Sequence, residues 1–407
     1  MPNEPQSAAT LGLYLSIPFC RHKCSFCNFA SDVFSGDLLE SYIDHFCQEL
    51  RAARPKALSR QATLPETIDS IYFGGGTPSL LKPHHLSRIF ATIRSEFDLS
   101  LGTEITLEAA PNQLSDETLE AAQRHGVNRI SFGVQSFVDN ESAAVGRHHT
   151  GLDCHAEIAR LRQAGVERLA LDLIAGLPYQ TSESWQESLT LAVATGADHI
   201  SIYLLEIDED SRLGRESLAG GPRYHAPALP NEDATADWYQ AACEHLAAAG
   251  LAQYEISNFA RTGFQSRHNR KYWQRDPYLG VGLDAHSMLH CLDGTSIRWA
   301  NPDAMNAYLS PSSLFQLLPK TEGGIEIDRI DPDKAFEESL FLGLRLNEGV
   351  NLNHLRTHFG PSRLAQALTS IVDIESAGLI TQTPTTLRLT PSGRLASNEV
   401  FSRLLFA

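Results

Sequence analysis

Three cysteines fall within the eight residues CRHKCSFC: Cys20, Cys24 and Cys27, with Phe26 before the last. Such crowding serves disulfide geometry poorly, whereas thiolates at this spacing can converge on one metal centre. On a [4Fe-4S] cube, three local ligands leave one iron open to a non-protein ligand. Zinc, with His22 or a distant residue as fourth ligand, is the plainer alternative, but structural zinc favours closed tetrahedral sites with paired ligands. The other cysteines ask for less. Cys47 shares a helix face with Leu39, Tyr42, Ile43 and Phe46 and reads as core, while Cys154, Cys243 and Cys291 stand alone.

A second candidate is IYFGGGTPS, a strand ending in Gly74, Gly75, Gly76, Thr77 and Pro78. Successive glycines let backbone N–H groups approach an anionic or zwitterionic ligand, although a tight βα turn would also use them. Neither a Walker A nor a GxGxxG pattern is present. Glu108 and Gln135 end further candidate strands, Asp172 lies on another, and Arg147 follows Gln135. Singly, each reads as a structural polar residue or surface charge. Together they matter because parallel βα architectures bind ligands at the C-terminal ends of their strands, which would bring these groups to one face.

The elements that must position them follow a rhythm. RHGVNRISFG, QAGVERLALD, ATGADHISIY and AAGLAQYEIS each join a helical stretch through a glycine (Gly126, Gly165, Gly196, Gly250) to a β-rich run. With LGLYLSIPF, SIYFGG and TEITLEAA upstream, strands starting near residues 11, 70, 103, 129, 168 and 199 alternate with helices, which predicts a parallel sheet. Periodicity leaves a doubly wound sheet and an incomplete barrel both open. Ser211 to Asp233 is Gly/Pro-rich and polar and reads as a long loop or lid. From Asp331 the chain predicts helices over AFEESLFLGLRL and Leu364–Gly378, two short strands about a turn, and a last helix: a small winged-helix-like α+β domain. Its helix Leu364–Gly378 has no Lys or Arg and carries Asp373 and Glu375, which argues against a DNA-reading role.

Bulk properties agree. The chain has 407 residues, enough for one large domain and a smaller one, and 33 Lys+Arg against 49 Asp+Glu give a formal charge of −16. That balance opposes attraction to nucleic acid or anionic lipid. Met1–Thr10 shows no leader pattern and no apolar run is of spanning length, so a cytoplasmic protein is expected, without an integral membrane segment.

The cysteine spacing, GGGTP and the strand-end polar residues together resemble the radical S-adenosylmethionine superfamily. That resemblance implies an incomplete (βα)6 TIM-like barrel holding a [4Fe-4S] cluster on Cys20, Cys24 and Cys27, with S-adenosylmethionine on the open iron. LYLSIPFC, YFGGGTPS, RISFGVQSF, VGRHH and the C-terminal domain resemble, more narrowly, its coproporphyrinogen III oxidase-like group. The anaerobic oxidases of that group carry CxxxCxxCxC and an N-terminal extension, whereas here Phe29 stands at the extra cysteine's place and only ten residues precede the first strand. The heme chaperone HemW branch lacks that cysteine and has an HNxxYW signature, matched by His268, Asn269, Arg270, Lys271, Tyr272 and Trp273.

By this resemblance Tyr14, Gly75, Gly76, Thr77, Glu108, Gln135, Arg147 and Asp172 contact S-adenosylmethionine, and no catalytic residue is implied. His268 is the expected heme ligand, with Tyr272 and Trp273 as flat apolar surface and His286 and His290 as rivals. The implied division is a barrel over 1–260, an extension with the signature over 261–330, and the winged-helix-like domain over 331–407. The implied function is binding heme and passing it to acceptor hemoproteins, membrane-bound or not. Radical decarboxylation of coproporphyrinogen III and, from another class, modification of RNA are the competing readings.

Overall fold

In the computed structural model, which describes residues 9–314 and 327–405, six strands lie parallel in chain order. They are β1 (Leu11–Ile17), β2 (Thr67–Gly75), β3 (Asp98–Ala109), β4 (Arg129–Gln135), β5 (Arg168–Ala175) and β6 (His199–Leu204). A doubly wound sheet would reverse its strand order partway; this order runs monotonically from β1 to β6, so the crossover helices share one face and the sheet curls with its other face inward. β6 pairs with β5 and, antiparallel, with a later strand, never with β1, so the barrel is incomplete. The crossovers are α1 (Gly36–Ser59), α2 (Pro83–Glu96), α3 (Asp116–Arg124), α4 (Asp139–Ala144), α5 (Gly151–Gln163) and α6 (Ser182–Ala194). The joint glycines behave as expected: Gly126 and Gly165 have φ of 96° and 84°, the left-handed region a C-cap uses.

The stretch read as a lid is not one long loop. Ser211 caps the helix α7 (Arg212–Leu218), and a 3₁₀ turn follows over Arg223–Ala228. Leu213 is buried with Val145, Ile174 and Leu177, and that small core is what folds a sequence polar enough to read as coil. After α8 (Glu232–Ala248), β7 (Ala252–Gln253) and β8 (Asn258–Ala260) close the β6 side antiparallel. The signature helix α9 (Arg267–Gln274) comes next, followed by β9 (Tyr278–Val281), β10 (His286–His290) and β11 (Ser296–Ala300). The short helix α10 (Met305–Tyr308) and β12 (Ile327–Ile330) complete the extension. β9 pairs parallel with β1, so these strands continue the barrel's sheet. A buried network holds them to α1: Glu49 accepts from Asn301 Nδ2 (2.7 Å), Tyr308 OH (2.9 Å) and the Gly282 N–H (3.0 Å), with Lys56 at 3.3 Å. The Met1–Thr10 reading falls outside the described residues except for Ala9 and Thr10, as does 315–326 of the extension.

The C-terminal unit has its own apolar core, including Phe336, Leu340, Leu355, Leu387 and Val400. It contains α11 (Pro332–Gly343), β13 (Val350–Asn351), α12 (Leu352–Phe359), α13 (Pro361–Ser370), α14 (Val372–Ser376), β14 (Ile380–Gln382) and β15 (Thr386–Leu389). The expected single helix over Leu364–Gly378 breaks at Ile371, where the β-branched pair Ile371–Val372 disfavours continuation and Ile374 turns back into the core. This unit is bolted to α9 and the extension. Glu338 on α11 receives Arg275 Nε (2.9 Å) and Arg298 Nη2 (2.8 Å), Arg270 pairs with Glu348 (2.7 Å), and Arg345 lies 4.2 Å over the Trp273 ring. Glu338→Ala should therefore lower stability by about 3 kcal/mol, because it strands the buried guanidinium of Arg275 and leaves Arg298 without its carboxylate. Urea unfolding checks this, and a drop under about 1 kcal/mol would mean the clamp is no stronger than a surface pair.

Candidate cluster and S-adenosylmethionine site

The loop after β1 is pinned at both ends, with Cys20 N–H donating to Asp32 O and Asp32 N–H to Pro18 O, each at 3.0 Å. Within it Cys27 N–H bonds Cys24 O (3.3 Å), a tight turn that sets those two cysteines side by side. None of the three is in a disulfide. Burial pushes the Cys20 and Cys24 thiols up, opposed at Cys20 by hydroxyls of Ser31 and Thr77 and at Cys24 by the guanidiniums of Arg147 and Arg212. Thiols so placed ionise poorly alone and well on a cationic iron centre, so the donor set suits a cluster and the two arginines suit its net negative charge.

Ten of the twelve expected site residues line one cavity of about 460 Å³: the three cysteines, Gly75, Gly76, Thr77, Glu108, Gln135, Arg147 and Asp172. The glycines, however, do not offer a row of free N–H groups. Gly76 N–H is bonded to Ile17 O and Thr77 N–H to Phe19 O, both at 2.8 Å. What glycine supplies is room: a Cβ on Gly76 would sit 2.7 Å from Phe19 O and 2.9 Å from Ile17 O. The turn thus packs directly on the strand that leads into the cysteine loop.

Two carboxylates form one wall. Tyr72 OH donates to Glu108 Oε1 (2.8 Å), yet burial, and then the Asp172 carboxylate, pushes Glu108 up to about 7. Burial raises Asp172 as well, and Ser131 Oγ lies 3.5 Å from its Oδ2. Opposite, a register shift in β4 puts Gln135 at φ 70°, so that its amide and the Arg147 guanidinium lie over Gly133. A non-glycine residue held there is strained, as site residues often are. Arg147 Nε is buried without a hydrogen-bond partner. Carboxylates wanting a cation and a guanidinium wanting an anion are what the amino-acid end of S-adenosylmethionine would satisfy.

The raised Glu108 predicts a pH effect. Below about pH 4.5 the carboxyl is protonated folded or unfolded; as pH rises through 7 the folded chain must ionise it in a buried place, and stability is lost. Between pH 5 and 8, cofactor-free Glu108→Gln should therefore gain about 2 kcal/mol on the parent chain. Parallel urea curves test it; a constant gap would refute it.

Tyr14 lines an adjoining trough rather than this cavity, and His268 lines neither. His268 is 1% exposed beneath the barrel, its Nδ1 paired with Ser70 Oγ (3.0 Å) and its Nε2 with Tyr272 OH (2.9 Å), its ring stacked near Tyr14 and Tyr72. Burial, then Lys271 and Arg129, pushes it down to about 3. As placed, both ring nitrogens of the expected heme ligand are engaged by hydroxyls. His290 is half-buried with Nδ1 on Ser296 Oγ (2.9 Å). Outside the site, Glu40, His84 and His85 cluster, but His85 Nδ1 accepts the Lys82 N–H (3.1 Å), which leaves the ring proton on Nε2 facing Glu40 and no lone pair for a metal.

Sequence reasoning missed the clasp on the cysteine loop: Leu213 N–H to Ser25 O (2.8 Å), Arg212 to the Lys23 carbonyl, and Asn28 to Asp208 (2.9 Å). The one signal was Arg212 beside the acidic run EIDED. It also missed Tyr72, two residues past Ser70 and on the same face of β2.

Residues 14–192 match the Radical SAM superfamily model and 330–396 the HemN C-terminal domain. Heme chaperone HemW of Lactococcus lactis subsp. lactis is 32% identical over 100% of this chain and 98% of its own. That of Synechocystis is 34% identical over 97% and 96%. Among solved structures, coproporphyrinogen III oxidase (HemN) from Escherichia coli, a radical SAM enzyme, superposes with a TM-score of 0.78 over 97% of this chain and 90% of that one at 22% identity, a likeness of fold. Cluster and S-adenosylmethionine binding go with the superfamily, and no helix among the described residues is long and apolar enough to cross a membrane. This chain belongs to the HemW family of the radical S-adenosylmethionine superfamily.

Proposed function

We propose that the chain is a heme carrier, which binds heme and delivers it to acceptor hemoproteins. The observation that carries this reading is the full-length likeness to proteins named heme chaperone HemW, at 32–34% identity. In this reading Cys20, Cys24 and Cys27 hold a [4Fe-4S] cluster. S-adenosylmethionine lies among Gly75, Gly76, Thr77, Glu108, Gln135, Arg147 and Asp172, with Tyr14 at its edge. When bound, cluster and cosubstrate supply one-electron reductive cleavage of the sulfonium. The chain's own part is to hold three thiolates against two arginines, to meet the ammonium with carboxylates, to meet the carboxylate with Arg147, and to keep the loop clasped from the Asp208–Leu213 side. Phe29, standing where the oxidases carry a further cysteine, fits a carrier better than a decarboxylase.

The test is transfer. Heme-loaded chain is mixed with an apo-hemoprotein, and the two are separated and scanned. Movement of heme faster than its spontaneous loss to a scavenger supports the carrier; heme that stays put, together with conversion of coproporphyrinogen III under anaerobic reducing conditions, would replace it with the decarboxylase.

A further inference from the structure

Beside the cofactor cavity, and sharing Phe29, Ser31 and Gly75 with it, runs a second hollow of about 300 Å³. Its walls are mostly aromatic and apolar, with Tyr272, Tyr278, Leu283 and the 61%-exposed Phe29, and they also carry Asp284 and, at the rim, His286. The His286 ring is exposed and makes no side-chain hydrogen bond, ion pair or ring contact with any described residue. Its backbone is the reverse of loose. In the preceding loop Leu283 N–H donates to Tyr42 OH (2.9 Å), Gly282 N–H to Glu49 (3.0 Å), and Asp284 N–H to Pro302 O (3.0 Å), and the residue itself opens β10 in register with Ala300. A free imidazole on a fixed backbone, beside a wall of aromatic rings, is a preorganised iron ligand for a planar macrocycle.

Building on the heme-carrier reading, we propose that His286 ligates the iron of the cargo heme, the macrocycle lying against Tyr272, Tyr278 and Phe29. Ligation is donation of the neutral ring's lone pair to the iron with loss of a solvent ligand, so no oxidant or reductant enters. Placement at an open rim suits a carrier, because an acceptor's ligand can reach the iron without the barrel opening. His268 becomes a positioning residue: its Nε2 holds the Tyr272 hydroxyl, and Tyr272 packs edge-on against Tyr278 at 4.7 Å. Loss of heme from a His268 variant therefore does not by itself identify the ligand.

The experiment titrates hemin into the cluster-reconstituted full chain, its His286→Gly variant and its His268→Gln variant, and records the Soret band with and without millimolar imidazole. Equal cluster content and circular dichroism control for folding. His286→Gly should bind hemin about tenfold or more weaker with an altered band, and imidazole should restore both; His268→Gln should keep the wild-type ligand signature with at most a few-fold loss. A His286→Gly band and affinity equal to wild type, or a changed ligand signature in His268→Gln, overturns the assignment and leaves the carrier reading standing. Wild-type chain that holds no hemin sinks the carrier reading itself.

Discussion

Cys24→Ser, reconstituted anaerobically with iron and sulfide, is expected to fall from about four irons per chain to below about one, with loss of the cluster's visible absorbance. Burial already pushes the Cys24 thiol up, and its ionised form is favoured by Arg147, Arg212, a backbone hydrogen bond and a bound cation. A serine hydroxyl ionises far less readily and is a harder ligand, so the same place in the loop no longer supplies a soft anion. The fold should survive, since Cys24 is only partly buried and belongs to none of the apolar cores. Cys243→Ser, on α8 and off the cavity, is the control and should keep full iron. Wild-type iron content in Cys24→Ser would remove that cysteine from the ligand set and reopen zinc or a purely structural role.

Gly76→Ala should weaken S-adenosylmethionine roughly ten- to a hundredfold, the equivalent of 1–3 kcal/mol of overpacking. The three nearest atoms to the added methyl, Phe19 O, Ile17 O and Phe19 N, are all backbone, so no side chain can swing aside. Relief must come by moving the end of β1 away from the glycine turn, which breaks the Gly76–Ile17 and Thr77–Phe19 bonds and shifts the root of the cysteine loop. Iron content should therefore drop in part while S-adenosylmethionine binding drops severely. Calorimetry on the reconstituted variant reads it. Unchanged affinity would mean the strand end yields more easily than its hydrogen bonds suggest.

The barrel was legible because its joints are local. A glycine after α3, α5 and α6 and a β-rich run three residues later depend on no distant contact, and Gly126, Gly165 and Gly196 all take positive φ. That Glu108 and Gln135, at strand ends, and Asp172, within a strand, share one face followed from parallel topology alone. What could not be read depends on partners far along the chain. HNRKYW shows His268 near Tyr272 and Trp273, but not that Ser70, 198 residues away, takes the other ring nitrogen and turns the helix into the barrel's floor. The N–H groups of the glycine turn were expected to face a ligand, and only tertiary pairing shows those of Gly76 and Thr77 spent on Ile17 O and Phe19 O. The helical Arg212–Leu218 stayed hidden because a single leucine buried against three remote residues folds it. The four short strands of the extension, each at most five residues, carry too little alternation to be called.

Heme retention by the intact chain tests the central claim most directly. The cluster-reconstituted protein is incubated with a slight excess of hemin, passed through gel filtration, and scanned across the protein peak. The carrier account predicts close to one heme co-eluting per chain; a peak with the cluster's absorbance and no Soret band would contradict it.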